Sequence, residues 1–203
     1  MKGLYLVTPN WDDTAAMVHA TGEALRLGAA MVQYRHKTAS PELRRDQASQ
    51  LLALCRRHSV PFIINDFVDL CLELDADGVH VGGTDISVAQ ARSLLGAGKI
   101  VGASCYGDRQ LAIHAAAHGA SYVAFGGFYP SKVKQYPVTT PADIVSWAKA
   151  EIALPSVVIG GMTPANAAPL VERGADMVAA ISSVYGAPSI ELAMQEFAQL
   201  FAR

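Results

Sequence analysis

The sequence predicts an α/β fold, a (β/α)8 TIM barrel, with residues 1–203 forming one domain. Three observations carry this. Eight short apolar runs alternate with longer helical patterns, and that alternation requires parallel strands joined by crossovers. A small motif recurs before every second run. The length of 203 residues divided by eight leaves about 25 residues per strand-plus-helix unit, at the compact end for a barrel. An open doubly wound sheet with a crevice site is the competing architecture. Neither a linker nor a break in composition divides the chain.

Taken in order, the strand candidates are residues 4–7, 31–35, 61–65, 78–81, 100–104, 122–126, 157–160 and 177–181. Each is short, apolar and rich in β-branched residues, as strands buried on both faces should be. Helical patterns lie between most of them, at 42–58, 88–95, 110–118 and 164–173. The recurring motif is Gly28-Ala29-Ala30-Met31-Val32, Asp75-Ala76-Asp77-Gly78-Val79, Gly119-Ala120-Ser121-Tyr122-Val123 and Gly174-Ala175-Asp176-Met177-Val178. It reads as a helix closed by Gly or another turn former, then a tight turn into the next strand.

Composition narrows the function. Charged residues are 17% and apolar residues 51%, so the chain can bury a large core and is not disordered. A net charge of −2 argues against a general nucleic-acid or anionic-membrane binder. The uncharged runs 110–131 and 152–171 are broken by His, Gly or Pro and do not read as spans. The N-terminus turns polar at Thr8, too early for a signal peptide. Three cysteines without metal or redox spacing read as reduced thiols, so the expected location is cytoplasmic.

In a barrel the chemistry sits where the strands end. After the second strand comes Gln33-Tyr34-Arg35-His36-Lys37. If the strand continues, alternation puts Gln33, Arg35 and Lys37 on one face, suited to phosphate or pyrophosphate; a solvated strand exit is the plainer alternative. After the third strand, Asn65-Asp66 ends an apolar run abruptly, and Asp85 follows the fourth. Two hard oxygen ligands on adjacent loops would suit Mg²⁺, yet by spacing alone both aspartates read more readily as turn or helix caps. Ser104 ends the fifth strand. The loop after the sixth carries Ser131, Lys132 and Lys134. After the seventh strand comes Gly160-Gly161-Met162-Thr163-Pro164, and after the eighth Ile181-Ser182-Ser183, where barrels often bind phosphate. Other signals fail. Gly96-Ala97-Gly98-Lys99 is not a Walker loop, His114 and His118 lack a third ligand, and no nucleophilic triad can be drawn.

At this point the residues resemble a known family over nearly the whole chain. Gly3 to Thr8, Gln33-x-Arg35-x-Lys37, Ile64-Asn65-Asp66, Asp77 to His80 followed by Asp85, Gly102-Ala103-Ser104, Pro130-Ser131 with Lys134, Ile159 to Pro164, and Ile181-Ser182 are similar, in order and spacing, to thiamine phosphate synthases. The resemblance implies the TIM-barrel fold and a Mg²⁺-dependent transferase. It would join hydroxymethylpyrimidine pyrophosphate to a thiazole phosphate, releasing pyrophosphate by dissociative substitution. It implies that Gln33, Arg35, Lys37, Asn65, Ser104 and Lys134 hold the pyrimidine pyrophosphate. Arg35, Lys37, Ser104 and Lys134 would be catalytic, and Asp66 and Asp85 would bind Mg²⁺. Ser131, Gly161, Ile181 and Ser182 would hold the thiazole phosphate.

Four positions depart from the family's pattern: Pro9, where it often has Asp; Gly83, where it usually has Gln; and Ser131 and Val133, where the strand-six loop usually has its first and second Thr. The expected partners are these small molecules, with no nucleic acid and no membrane; self-association stays open. The rival is a thiazole tautomerase-like paralogue on the same fold, whose His two residues after the strand-five serine is replaced here by Tyr106. A non-catalytic phosphate-binding barrel is the other alternative; it would keep Gly160-Gly161 but need neither aspartate.

Overall fold

The structure is a computed structural model, and it describes residues 1–83, 85–130 and 139–202. Strands and helices alternate as β1 (Gly3–Val7), α1 (Thr14–Arg26), β2 (Met31–Tyr34), α2 (Pro41–Arg57), β3 (Phe62–Asn65), α3 (Val68–Leu74), β4 (Gly78–Val81), α4 (Val88–Leu95) and β5 (Ile100–Tyr106). They continue as α5 (Arg109–Ala117), β6 (Tyr122–Gly126), α6 (Asp143–Glu151), β7 (Ser156–Ile159), α7 (Pro164–Glu172), β8 (Met177–Ala180), α8 (Ser182–Tyr185) and α9 (Ile190–Gln199). The strands pair in parallel in sequence order and close on themselves, β8 against β1, which removes every sheet edge. This is the (β/α)8 barrel, not the open sheet.

The recurring Ala motif has a physical cause. Gly28, Asp75, Gly119 and Gly174 all have positive φ, at 93°, 55°, 89° and 108°. The following alanine N–H in each case reaches back five residues: Ala29 to Ala24, Ala76 to Cys71, Ala120 to Ala115 and Ala175 to Leu170. This is the 6→1 bond that satisfies the last helical carbonyls and turns the chain into the next strand. Each of the four alanines is buried, where a larger side chain would crowd the turn.

Alternation within the strands makes two cores. Leu4 and Leu6 point outward into the layer between barrel and helices, with Val32, Ile64, Val123, Val158 and Val178. Tyr5, Val7, Met31, Ile63, Tyr122, Val157 and Met177 fill the barrel itself. Burying each large apolar side chain contributes about 1.5–3 kcal/mol before entropy is counted. Towards the C-terminal ends of the first four strands the inside changes character: Thr8, Gln33, Asn65 and His80 are polar and buried.

Most strand boundaries match expectation to within one residue, and two of the differences bear on the site. β2 stops at Tyr34, so Arg35 and Lys37 leave the barrel on a loop and do not share a strand face. β5 runs past Ser104 to Tyr106 through a register shift, with Tyr106 at φ 53°. That irregularity re-aims the strand end next to Ser104.

Candidate active site at the mouth of the barrel

The site is built on the exits of β2, β3 and β4. Thr8, just past β1, clamps the first of them. Its N–H donates to the Gln33 carbonyl at 2.9 Å, and its hydroxyl accepts the Arg35 N–H at 2.8 Å. Thr8 thereby sets where β2 ends and where Arg35 departs. Lys37 lies two residues on, with its Nζ 3.1 Å from Asp66 Oδ2.

Asp66 follows Asn65 directly after β3. It has φ 67°, a conformation uncommon for a non-glycine residue, held by its N–H donating to the His80 carbonyl at 2.9 Å. Asp85 lies within hydrogen-bonding reach of it. Burial pushes the Asp66 carboxyl above the usual carboxylate range; Asp85 pushes the same way, while Lys37 pulls it down.

Neither aspartate caps a helix, but Asp85 does close a turn, as the plainer expectation from spacing allowed. Ser87 caps α4 in a reciprocal box with Gln90, and Phe67 precedes α3 without a side-chain cap bond. Asp85 instead accepts the Gly82 N–H at 2.7 Å, which folds the β4 loop back over its own carboxylate. Tyr106 braces the same loop, its hydroxyl accepting the Gly83 N–H at 3.2 Å. A Cβ at Gly83 would meet that hydroxyl at 3.4 Å, so Tyr106 occupies the space next to the departure at this position.

Two carboxylates in contact repel when both are ionised, and a divalent cation between them would relieve this. Among the described residues no group of three or more His, Cys, Asp or Glu gathers as a metal site. A pair of carboxylates with water and ligand phosphate oxygens is the donor set Mg²⁺ prefers, so the residues fit it.

Below the mouth lies a network that the sequence had not suggested. Gln33 Nε2 donates to the Tyr5 hydroxyl at 2.7 Å, and Tyr5 and Tyr122 hydroxyls are 2.8 Å apart. His80 places Nδ1 2.9 Å from Tyr122 and Nε2 2.8 Å from Ser104 Oγ. Thus Gln33 and Ser104 stand at the two ends of one buried chain.

On the opposite side, Gly160 and Gly161 follow β7 with φ 106° and 63°. A Cβ at Gly161 would fall 2.2 Å from the Pro130 carbonyl oxygen, so the β6 exit closes directly onto it. Asn166 Nδ2 holds the Gly161 carbonyl at 2.9 Å, and Thr163 with Asn166 forms a capping box at the start of α7. Ile181 is the N-cap of the four-residue α8, which begins at Ser182. β7 and β8 are neighbours, so these two exits are too. Ser131, Val133 and Lys134 lie outside the described residues. His114 and His118 stack on each other on α5, and His118 Nδ1 pairs with the His114 carbonyl at 2.7 Å.

Among the described residues no helix is long and apolar enough to cross a membrane. A family model described as thiamine monophosphate synthase matches residues 4–184. The chain is 62% identical over 203 residues to a thiamine-phosphate synthase of Janthinobacterium sp. (strain Marseille), covering all of this chain and 98% of that one. It is 46% identical to one of Nitrosospira multiformis, covering all of this chain and 87% of the other. Among solved structures, a thiamine phosphate pyrophosphorylase from Pyrococcus furiosus superposes with a TM-score of 0.85 at 29% identity, covering 98% of this chain and 94% of that one. A 3-hexulose-6-phosphate synthase, at 19% identity and TM-score 0.71, shares the fold. On the strength of the first three, the chain belongs to the thiamine monophosphate synthase family.

Proposed function

We propose that this chain, residues 1–203 acting as one catalytic domain, is a thiamine-phosphate synthase. It joins hydroxymethylpyrimidine pyrophosphate to a thiazole phosphate and releases pyrophosphate. The observation that carries the site assignment is the contact series Lys37, Asp66 and Asp85 at the barrel mouth, with Arg35 leaving the same strand exit. That series suits a pyrophosphate brought in with a divalent cation.

The assigned roles follow charge and place. Arg35 and Lys37 take the pyrophosphate oxygens, Arg35 as a fork and Lys37 as a mobile point charge. Gln33, Asn65 and Ser104 hold the pyrimidine end. Asp66 and Asp85 would hold Mg²⁺, which when bound supplies neutralisation of the charge on the leaving pyrophosphate. Gly161 and Ile181 offer backbone groups, and Ser182 a hydroxyl, to the thiazole phosphate. Ser131 and Lys134 join these sets by resemblance to the family.

The chemistry needs no protein nucleophile. The carbon–oxygen bond to pyrophosphate breaks, and its electrons leave with the pyrophosphate. The pyrimidine methylene becomes a cation stabilised by its ring, and the thiazole nitrogen supplies the new bond. Arg35 and Lys37 favour the first step because negative charge develops on the pyrophosphate that they are assigned to hold, and Lys134 joins them by resemblance to the family. Holding both substrates in line contributes up to about 7–11 kcal/mol in favourable cases.

The test is pyrophosphate release from the purified chain with both substrates, with and without Mg²⁺, and again with Asp66→Ala. Release that requires both substrates and the metal, and collapses in the variant, supports the proposal. Thiazole phosphate binding without any release would overturn it in favour of a tautomerase or a regulatory binder.

A further inference from the structure

The chain of bonds under the mouth has a direction that can be deduced. Gln33 Nε2 is a donor, so the Tyr5 hydroxyl accepts from it and must spend its own hydrogen elsewhere. The Tyr122 hydroxyl, 2.8 Å away, takes it. Tyr122 then gives its hydrogen to His80 Nδ1. A neutral imidazole with Nδ1 accepting carries its proton on Nε2, and that proton goes to Ser104 Oγ at 2.8 Å. Ser104 is left with its own hydrogen to offer a ligand. Burial keeps both tyrosine hydroxyls protonated well beyond the usual range.

The reverse direction fails at Tyr5. If Ser104 donated to His80, Tyr122 would donate to Tyr5. Tyr5 would then face two donors, with its own hydrogen stranded in the core. Only turning over the Gln33 amide, so that its oxygen faces Tyr5, lets the whole chain run backwards. The orientation of Gln33 and the polarity of Ser104 are therefore locked together. The fold is shaped for this. Tyr122 starts β6 and lies across Gly102, where a Cβ would sit 2.0 Å from its ring; its ring stacks on His80 with centroids 5.6 Å apart.

We propose that His80 is a positioning residue: held as the Nε2–H tautomer by the Tyr5–Tyr122 hydroxyl pair, it fixes Ser104 as a hydrogen-bond donor to the bound pyrimidine pyrophosphate and couples it to Gln33. This rests on the assignment of Gln33 and Ser104 to that substrate. It extends the assignment by making the two ends of the substrate's pyrimidine site a single unit with one donor–acceptor sense.

Two measurements on the full chain test it. In ¹⁵N-histidine-labelled protein, with the His80 signals assigned by their loss in His80→Gln, Nδ1 should be bare and Nε2 protonated. A protonated Nδ1 overturns the proposal. Kinetically, Gln33→Ala and Ser104→Ala should each raise KM for the pyrimidine substrate, and their combined loss should fall short of the product of the two by about fivefold. In a Tyr122→Phe background, which removes one hydroxyl and keeps the ring, the two losses should multiply; Tyr5→Phe serves the same purpose if that variant folds poorly. Losses that multiply in both backgrounds overturn the coupling while leaving the substrate assignment standing. Single variants with no effect on that KM overturn the assignment, and the coupling with it.

Discussion

The Lys37 ammonium lies 3.1 Å from Asp66 Oδ2, so a cation proposed for the substrate pyrophosphate is parked on a carboxylate proposed for the metal. The pairing eases the contact between Asp66 and Asp85, since Lys37 pulls the Asp66 carboxyl down where Asp85 pushes it up. A divalent cation held by Asp66 and Asp85 would compete with Lys37 for the same carboxylate, and the ammonium would then be available to the pyrophosphate. On the proposed assignment, metal binding and substrate binding would be linked through one flexible side chain.

This makes Lys37→Met informative, because its two effects have opposite signs. Mg²⁺ or Mn²⁺ binding to the substrate-free chain, followed by calorimetric titration, should tighten several-fold, since a competing cation is gone. Turnover measured by pyrophosphate release should fall about 100- to 1000-fold, the usual loss for one group that stabilises developing charge. Metal binding that weakens along with turnover would mean that Lys37 does not compete for Asp66.

The three cysteines give a pH prediction. Burial pushes the Cys71 thiol up to about 11, and the Cys55 and Cys105 thiols up to about 12. A raised thiol keeps its proton more tightly in the folded chain than in the unfolded one. The folded state is therefore favoured fully below the ordinary thiol value of about 8.5, and this contribution is lost as pH rises towards 11–12. A thiol reagent at pH 8 should leave all three unmodified in the native chain and modify them on unfolding. The melting temperature should decline steadily above about pH 9. Rapid labelling of any of the three in the native state would contradict their burial.

What the sequence made legible was whatever interrupts an apolar strand. Asn65 and Asp66 stood out because a hydrophobic run ends at them, Arg35 because it alternates with Gln33 and Lys37 past a strand, and the Ala motif because it recurs. Asp85 was harder: an aspartate before a helix reads as a cap, and only the loop geometry shows that Ser87 holds that role. Lys37 meets Asp66 through a loop, which strand alternation does not describe. The polar chain inside the barrel was not readable. In a strand buried on both faces, Tyr5 and Tyr122 look like ordinary core residues. Their hydroxyls gain meaning only when closure of the barrel brings β1 and β6, 117 residues apart, to one point.

Gly161 tests the thiazole side. Its φ of 63° alone disfavours alanine by about 1–2 kcal/mol. The Cβ would also meet the Pro130 carbonyl oxygen at 2.2 Å and drive the β6 and β7 exits apart. Gly161→Ala should raise KM for the thiazole phosphate about tenfold or more through the lost backbone contact. KM for the pyrimidine pyrophosphate should rise less, because all of its assigned residues except Lys134 stand on β2 to β5 or the loops directly after them. Equal rises in both would place Gly161 outside the thiazole subsite.

Gly102→Ala separates packing from polar positioning. At this position φ is not the obstacle; space is. The new Cβ would overlap Tyr122 at three atoms, its Cζ at 2.0 Å, its hydroxyl at 2.2 Å and its Cε1 at 2.6 Å. The ring is fully buried between Tyr5 and His80 and has nowhere to retreat without leaving both. Overpacking of this kind costs about 1–3 kcal/mol, a drop of roughly 2–12 °C in melting temperature for a chain of this size. Pairing the change with Tyr122→Phe removes only the hydroxyl collision and leaves the ring collisions. The double variant should therefore stay well below wild type in melting temperature. Gly102→Ala with Tyr122→Ala should lose the collision entirely, so that adding the glycine change to Tyr122→Ala costs almost nothing further. If Gly102→Ala lowers the melting temperature equally in the wild-type and Tyr122→Ala backgrounds, some contact other than the Tyr122 ring is what excludes a side chain at position 102.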